Sequence, residues 1–231
     1  MRILLLVGKY MIRGKYYIKM IALGLVIGIV LALAGIFGGQ LYHKTMAEKC
    51  IDKYNETHDI AVLADGFYHV SFCNDNSQTV KQQFLFYTKE LADCGEWNSY
   101  YPYSKYGQKN GDAVNPELSM KLAYLQLTLL YGKYDEYIEA FAKYFPDFDV
   151  SAKIAFNSMF CDDDFLENGE WQQIYATIVK GYTSIVEKAD TPTEKAGIYT
   201  DLSVLCNMVG NNNDSEIYKN KSNEILEDAI N

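Results

Sequence analysis

The sequence lacks the short motifs that most often identify an enzyme. It contains no phosphate-binding Walker loop, no glycine fingerprint for a dinucleotide, no HExxH metalloprotease motif and no GxSxG nucleophile elbow. Each of these motifs places particular side chains around a phosphate, a metal ion or a nucleophile, so their absence removes the most direct sign of that chemistry. We therefore predict a binding protein rather than an enzyme, with no cofactor.

Cysteine is too sparse for a disulfide framework. The chain has five cysteines, an odd number, at widely spaced positions, whereas disulfide-rich domains carry an even number at short spacings. One interpretation is that these are buried thiols, which pack as small apolar groups. The other is one or two bridges in an exported domain, for which Cys73 and Cys94 are placed to link two neighbouring helices.

Basic residues are concentrated at the N-terminus. Residues 1–19 contain five basic residues and no acidic one, so the rest of the chain carries a formal charge of −14 against −9 for the whole. An acidic domain repels phosphate backbones, and we predict no nucleic-acid partner.

One long apolar run follows this basic leader. Residues 20–42 contain no charged side chain, and a helix rising about 1.5 Å per residue over this length crosses the roughly 30 Å apolar layer of a bilayer. The basic residues precede the run, which predicts a cytoplasmic leader at 1–19 and a single-pass cell-membrane protein with its C-terminal domain extracytoplasmic. The alternative is a signal peptide cleaved after Ala34, because Ala32 and Ala34 have the small-x-small spacing.

Small residues recur within the predicted transmembrane helix. Gly24, Gly28 and Ala32 are four positions apart and fall on one stripe. Such a stripe permits two helices to approach closely, so it predicts a possible homodimer through the membrane helix. The alternative is that Gly and Ala are simply common in spanning helices.

The remainder of the chain predicts an all-α domain. Residues 43–58 predict a helical stalk, and residues 59–231 contain apolar residues at helical spacing separated by turn formers. Ser77 and Asn115 are placed as helix N-caps. We predict helices at residues 60–72, 79–94, 116–131, 133–145, 149–160 and 171–188, followed by a further pair on either side of Gly210.

A tight helix-turn-helix is predicted around Gly132. This glycine ends one helix, and an aromatic-rich helix resumes at once and stops at Pro146. The segment resembles the tetratricopeptide repeat family, which has a glycine at the turn, an aromatic residue two positions on, an acidic pair, and apolar and basic positions before a proline. The matching residues are Gly132, Tyr134, Asp135, Glu136, Ile138, Glu139, Phe141, Lys143 and Pro146.

The resemblance implies an architecture and a function. Tetratricopeptide-like helices pair as antiparallel hairpins and stack into an α-solenoid with a curved protein-binding surface. Tyr137 and Tyr144 depart from the family pattern, because they stand where it has small alanines that allow close helix contact. The expected fold is thus antiparallel helical hairpins, preceded by one transmembrane helix.

A tyrosine-rich segment interrupts the helical pattern. Residues 95–116 mix Gly, Pro, Asn and Ser with four tyrosines and one tryptophan, and show no sustained period. We predict a long loop, and long loops in compact domains are often functional. The predicted contact residues for a partner protein, or for a small ligand or glycan if the domain is a sensor or receptor, are Tyr100, Tyr101, Tyr103 and Tyr106.

Two segments contain residues that bind metals in other proteins. Asp65, His69 and Cys73 are spaced four apart on one helix face, which makes them weak candidates for a metal site or for an exported metal- or cysteine-dependent enzyme. The first and third lie about 12 Å apart along a helix, so an ordinary helix face is the alternative. An acidic segment from Asp164 fails the calcium-loop pattern, since Leu166 and Tyr175 replace required oxygen ligands.

Together these features predict a membrane-anchored helical-repeat protein. Its expected function is to bind partner proteins at the membrane surface, as a scaffold or assembly factor.

Overall fold

The computed structural model describes residues 38–111, 115–158 and 171–230. All regular secondary structure in these ranges is helical, which confirms the predicted all-α class. The helices are α1 (residues 38–57), α2 (Ile60–Val70), α3 (Gln78–Asp93), α4 (Trp97–Tyr100), α5 (Lys105–Asn110), α6 (Pro116–Leu130), α7 (Tyr134–Tyr144), α8 (Val150–Ser158), α9 (Trp171–Val186), α10 (Pro192–Met208) and α11 (Asn212–Ile230). Short 3-10 turns at Tyr101–Tyr103 and Phe145–Asp147 follow α4 and α7.

Several predictions fall outside the described residues. These are the basic leader, residues 20–37 of the apolar run with Gly24, Gly28 and Ala32, and the acidic segment from Asp164. Residues 38–42 of the run belong to α1. No helix within the described ranges combines the length and hydrophobicity needed to cross a membrane.

Local signals fix the helix ends where the sequence predicts them. The Ser77 hydroxyl accepts a hydrogen bond from the Val80 amide at the start of α3, and the Asn115 side chain accepts one from Leu118 at the start of α6. Each bond satisfies an amide that has no partner within its helix. Gly132 has φ of +69°, a conformation that other residues rarely adopt, and it allows α6 to turn directly into α7.

The longer helices pack mainly with their neighbours along the chain. The most extensive contacts join α2 to α3, α3 to α6, α6 to α7, α7 to α9, α9 to α10 and α10 to α11. The buried side chains of these pairs form one continuous hydrophobic core. Contacts between successive long helices are therefore present within the described residues.

The two tyrosines that depart from the repeat pattern are both buried in this core. Tyr137 and Phe141 of α7 face Gly181 of α9, where an added Cβ would approach the Phe141 ring to 3.0 Å and the Tyr137 ring to 3.2 Å. The glycine thus provides the space that the aromatic side chains require. Close packing at this point depends on a small residue in α9 rather than on alanines in α7.

Residues 43–58 were predicted to be a helical stalk outside the domain. Residues 43–57 are helical, but they do not form a separate stalk, since Ala47 is fully buried and Cys50, Ile51 and Tyr54 pack against the hydrophobic core. The Tyr87 hydroxyl of α3 donates a hydrogen bond to the Ala47 carbonyl at 2.5 Å. The stalk prediction failed because a short apolar stripe lies within a polar sequence. α1 therefore belongs to the domain.

Tyr87 reaches α1 by crossing α2 at Gly66. A Cβ on Gly66 would overlap the hydroxyl and ring of Tyr87, so the crossing requires glycine. Three helices consequently meet at one buried side chain.

Cys73 and Cys94 are both free thiols, so the alternative of a bridge between them does not hold. Cys73 lies in the turn before α3 and Cys94 follows its last residue, so the 16 residues of α3 separate them. A helix of that length is about 24 Å long, far beyond the reach of a disulfide.

Candidate functional site

A groove opens where the first helix pairs meet the C-terminal ones. It has a volume of about 420 Å³ and lies between the end of α7, the following 3-10 turn, α8, and the α9–α10 connection. The sequence brings these elements together because Phe145 and Ile185 bury side chains in the shared core. The lining residues are Ala142, Phe145, Pro146, Lys153, Ile185, Lys188, Ala189, Glu194, Gly197 and Ile198.

Charged side chains surround an apolar floor in this groove. The Lys153 ammonium pairs with the Asp201 carboxylate at 2.5 Å and lies 5.3 Å from the centre of the Phe145 ring, so it is held in place on two sides. The Glu194 carboxylate accepts a hydrogen bond from the Asp190 amide, which belongs to the cap of α10. Lys188 adds a second positive charge to the lining. An apolar group with a polar neighbour would find matching surfaces here.

Gly197 keeps the groove open on the α10 side. A Cβ added at this position would meet no protein atom within 4 Å. Glycine in the interior of a helix costs about 1 kcal/mol relative to alanine. None of the described residues around Gly197 requires a glycine at this position for packing. The open space in front of Gly197 is part of the groove.

The tyrosine-rich segment is not the loop that the sequence predicts. It forms α4, a 3-10 turn and α5, because Trp97 and Tyr101 are buried and the Ser104 hydroxyl accepts a hydrogen bond from the Gly107 amide to cap α5. The Tyr101 hydroxyl donates to the Gly111 carbonyl at 3.0 Å.

The four tyrosines predicted to contact a partner are therefore divided. Tyr101 is buried, and Tyr100 and Tyr106 are partly buried and packed against the core. The Tyr106 ring lies 4.5 Å from that of Phe67, between centroids. Tyr103 is 76% exposed. Of the four predicted residues, Tyr103 has the side chain that is most accessible to a partner.

The weak metal candidates do not converge. The Asp65 carboxylate pairs with the Lys105 ammonium at 3.0 Å, and the Cys73 thiol contacts the backbone carbonyl of His69 at 3.7 Å. Within the described part of the chain, no three His, Cys, Asp or Glu side chains gather closely enough to hold a metal ion. His69 instead meets His43, with 2.9 Å between their Nδ1 atoms.

Burial changes the proton affinity of the groups around this contact. Burial lowers the pKa of His69, and the neighbouring His43 lowers it further. Burial raises the pKa of the Cys73 thiol, so the thiolate, which is its nucleophilic form, is disfavoured. The neutral form of His69 and the protonated form of Cys73 are consequently favoured more than in the free side chains.

No family model, curated protein or solved structure matches this chain. The tetratricopeptide resemblance therefore stays a prediction.

Sequence reasoning missed the groove and the histidine contact for one reason. The groove combines residues from position 142 to position 198, and His43 is 26 residues from His69. Neither spacing produces a local pattern. The one available signal was the helical spacing of Ala47, Ile51 and Tyr54, which indicates that α1 packs on the domain and brings His43 with it.

Proposed function

We propose that this chain is a membrane-anchored helical-repeat protein that binds a segment of a partner protein, as a scaffold or assembly factor would. The observation that carries the proposal is the groove between the α7–α8 segment and the α9–α10 connection. It has an apolar floor, charged residues at its edges and the volume to take one or two side chains of another chain.

The architecture supports a binding role. Helices that pack mainly with their chain neighbours form extended surfaces, and grooves between successive pairs are where helical-repeat proteins bind peptides. The tetratricopeptide resemblance around Gly132 points the same way. The basic leader and the uncharged run at residues 20–42 support an N-terminal anchor, with the domain extracytoplasmic.

A crosslinking experiment in cells tests this function. A photoreactive phenylalanine analogue replaces Ile198, which lines the groove, and in a control it replaces Asn207, an exposed residue of the same helix. We expect discrete crosslinked partners from position 198 and not from position 207. A second variant, Gly197→Trp, fills the groove without overlapping protein atoms near its Cβ and should abolish these crosslinks while the helical circular dichroism is retained.

The anchor is tested in the same cells. A variant lacking residues 20–37 keeps every described residue of α1, whereas removal of the whole apolar run would cut into α1. We expect the deletion to release the protein from the membrane fraction and to weaken partner capture. Identical crosslinks from positions 198 and 207, or none from either, would contradict binding through the groove.

The alternative function, a sensor or receptor that binds a small ligand or glycan through the tyrosine-rich segment, has less support. Tyr101 and Tyr106 are engaged in packing within the domain. An exported enzyme built on Asp65, His69 and Cys73 lacks a converging set of reactive groups among the described residues.

A further inference from the structure

Two imidazole rings meet between α1 and α2. His43 of α1 is half-buried and His69 of α2 is 7% exposed, and their Nδ1 atoms are 2.9 Å apart. A neutral imidazole has one N–H and one lone pair, so one Nδ1 donates a hydrogen bond to the other. Two metal-binding nitrogens from different helices thus face each other.

The separation of these nitrogens matches a particular coordination geometry. Two nitrogens bound at about 2.0–2.1 Å to one ion are about 2.9 Å apart when they subtend a right angle, and about 3.3 Å apart when they subtend a tetrahedral angle. Square-planar and octahedral ions hold neighbouring ligands at right angles, and imidazole suits Ni²⁺ and Cu²⁺. The 2.9 Å separation is set by a hydrogen bond in the metal-free pair and equals the right-angle spacing, so both lone pairs can turn towards one ion by a tilt of the rings with no change in the distance between the nitrogens.

We propose that His43 and His69 form a two-histidine binding site for a divalent transition-metal ion of square-planar or octahedral preference, the class that includes Ni²⁺ and Cu²⁺. Water, or a group from a bound partner, completes the coordination.

Aromatic neighbours hold the two imidazole rings in their relative orientation. His43 stacks on Phe72 with 4.7 Å between centroids and 20° between planes, and Tyr42 contacts both imidazoles edge-on at 5.4 and 5.7 Å. A chelating pair held by its neighbours loses little conformational entropy when the ion binds.

The charges near the pair are already matched. The Lys105 ammonium is paired with Asp65 at 3.0 Å, Lys44 with Asp75 at 3.3 Å, and the Lys109 ammonium lies 3.5 Å from the centre of the Phe72 ring. Two of the three cations near the site are therefore offset by a carboxylate, and the third by an aromatic face. An incoming ion meets a weaker repulsion than three free lysines would produce.

Metal binding requires only that one histidine moves its proton from one ring nitrogen to the other, so no oxidant or reductant is involved. In the metal-free pair, one ring carries its proton on Nδ1. When the ion binds, that ring shifts its proton to Nε2 through solvent, so that both Nδ1 lone pairs become ligands. The site thus uses His69, one of the predicted metal candidates, with a partner that the sequence pattern did not indicate.

Calorimetric titration of the tag-free full-length protein with NiCl₂ tests the proposal. We expect one Ni²⁺ per chain, with tighter binding than Zn²⁺, which prefers the tetrahedral angle. His43→Gln should weaken Ni²⁺ binding at least tenfold. His58→Gln is the matched control, because His58 is exposed and its ring bonds to the Tyr54 carbonyl away from the pair.

A second substitution distinguishes the loss of a metal ligand from misfolding. His69→Asn, checked by circular dichroism, should give the same loss of affinity as His43→Gln. The proposal is overturned if Ni²⁺ does not bind the unaltered protein, if it binds His43→Gln with unchanged affinity, or if His58→Gln weakens it equally. Unchanged affinity in His43→Gln would assign the ion to other groups, such as the cysteine thiols.

Discussion

Substitution of Gly66 by alanine gives the most direct test of the three-helix crossing. Gly66 lies on α2 where the Tyr87 side chain passes from α3 to the Ala47 carbonyl of α1. A single added methyl group would occupy the space of the Tyr87 ring and hydroxyl. Either the ring must leave the crossing or α2 must move away from α3.

The expected cost can be worked out from three contributions. Overpacking a well-packed core costs about 1–3 kcal/mol. Loss of the Tyr87 hydrogen bond leaves a buried polar group without a partner, at about 1–3 kcal/mol. Alanine offsets part of this, because it favours the helix by about 1 kcal/mol over glycine. We therefore expect Gly66→Ala to lower the free energy of unfolding by about 1–5 kcal/mol.

Gly197→Ala is the matched control for this experiment. It introduces the same methyl group into α10, where nothing lies within 4 Å of the new Cβ. It should stabilise the protein by up to about 1 kcal/mol. Urea denaturation of the full-length protein, followed by circular dichroism, measures both variants. Equal effects of the two substitutions, or a stabilised Gly66→Ala, would refute the crossing.

Two further predictions concern groups at the other helix contacts. Burial, with Glu136 and Asp93 nearby, raises the pKa of Tyr124 to about 12 from an ordinary value of 10.0. The unfolded chain releases this proton first, so stability should fall as pH rises from 10 towards 12, and Tyr124→Phe should reduce that pH dependence in urea titrations. Asp93 accepts hydrogen bonds from Lys143 at 2.7 Å and Tyr144 at 2.6 Å, which tie α3 to α7. Asp93→Ala should lower the free energy of unfolding by about 1–2 kcal/mol, and a loss no greater than that of the exposed control Glu187→Ala would contradict this role.

The sequence predicts the parts of the fold that depend on adjacent residues. The caps at Ser77 and Asn115 are confirmed because a cap involves a side chain and an amide three positions later. The turn at Gly132 is confirmed for a similar reason. Each of these signals involves residues within one helical turn of each other, so the positions of the helix ends can be predicted from the sequence.

Features that depend on tertiary packing were beyond this reasoning. Trp97 and Tyr101 suggested a surface loop by composition, yet they are buried because the short helices between α3 and α6 cover the core. Gly66 gives no sign in the sequence that Tyr87 crosses it. The groove likewise exists only after α7 and α9 pack together. Such features result from contacts between residues that are distant in the sequence.

The packing of the last helix predicts where unfolding of the domain begins. α11 packs chiefly against α10, and among its described side chains only Ser222 is buried, where its hydroxyl bonds to the Ala196 carbonyl at 2.9 Å. Detaching α11 exposes one interface, whereas detaching an internal helix exposes two. The amide protons of α11 should therefore exchange with solvent ahead of those of α7 and α9, so that unfolding begins at the C-terminal end and reaches the groove later.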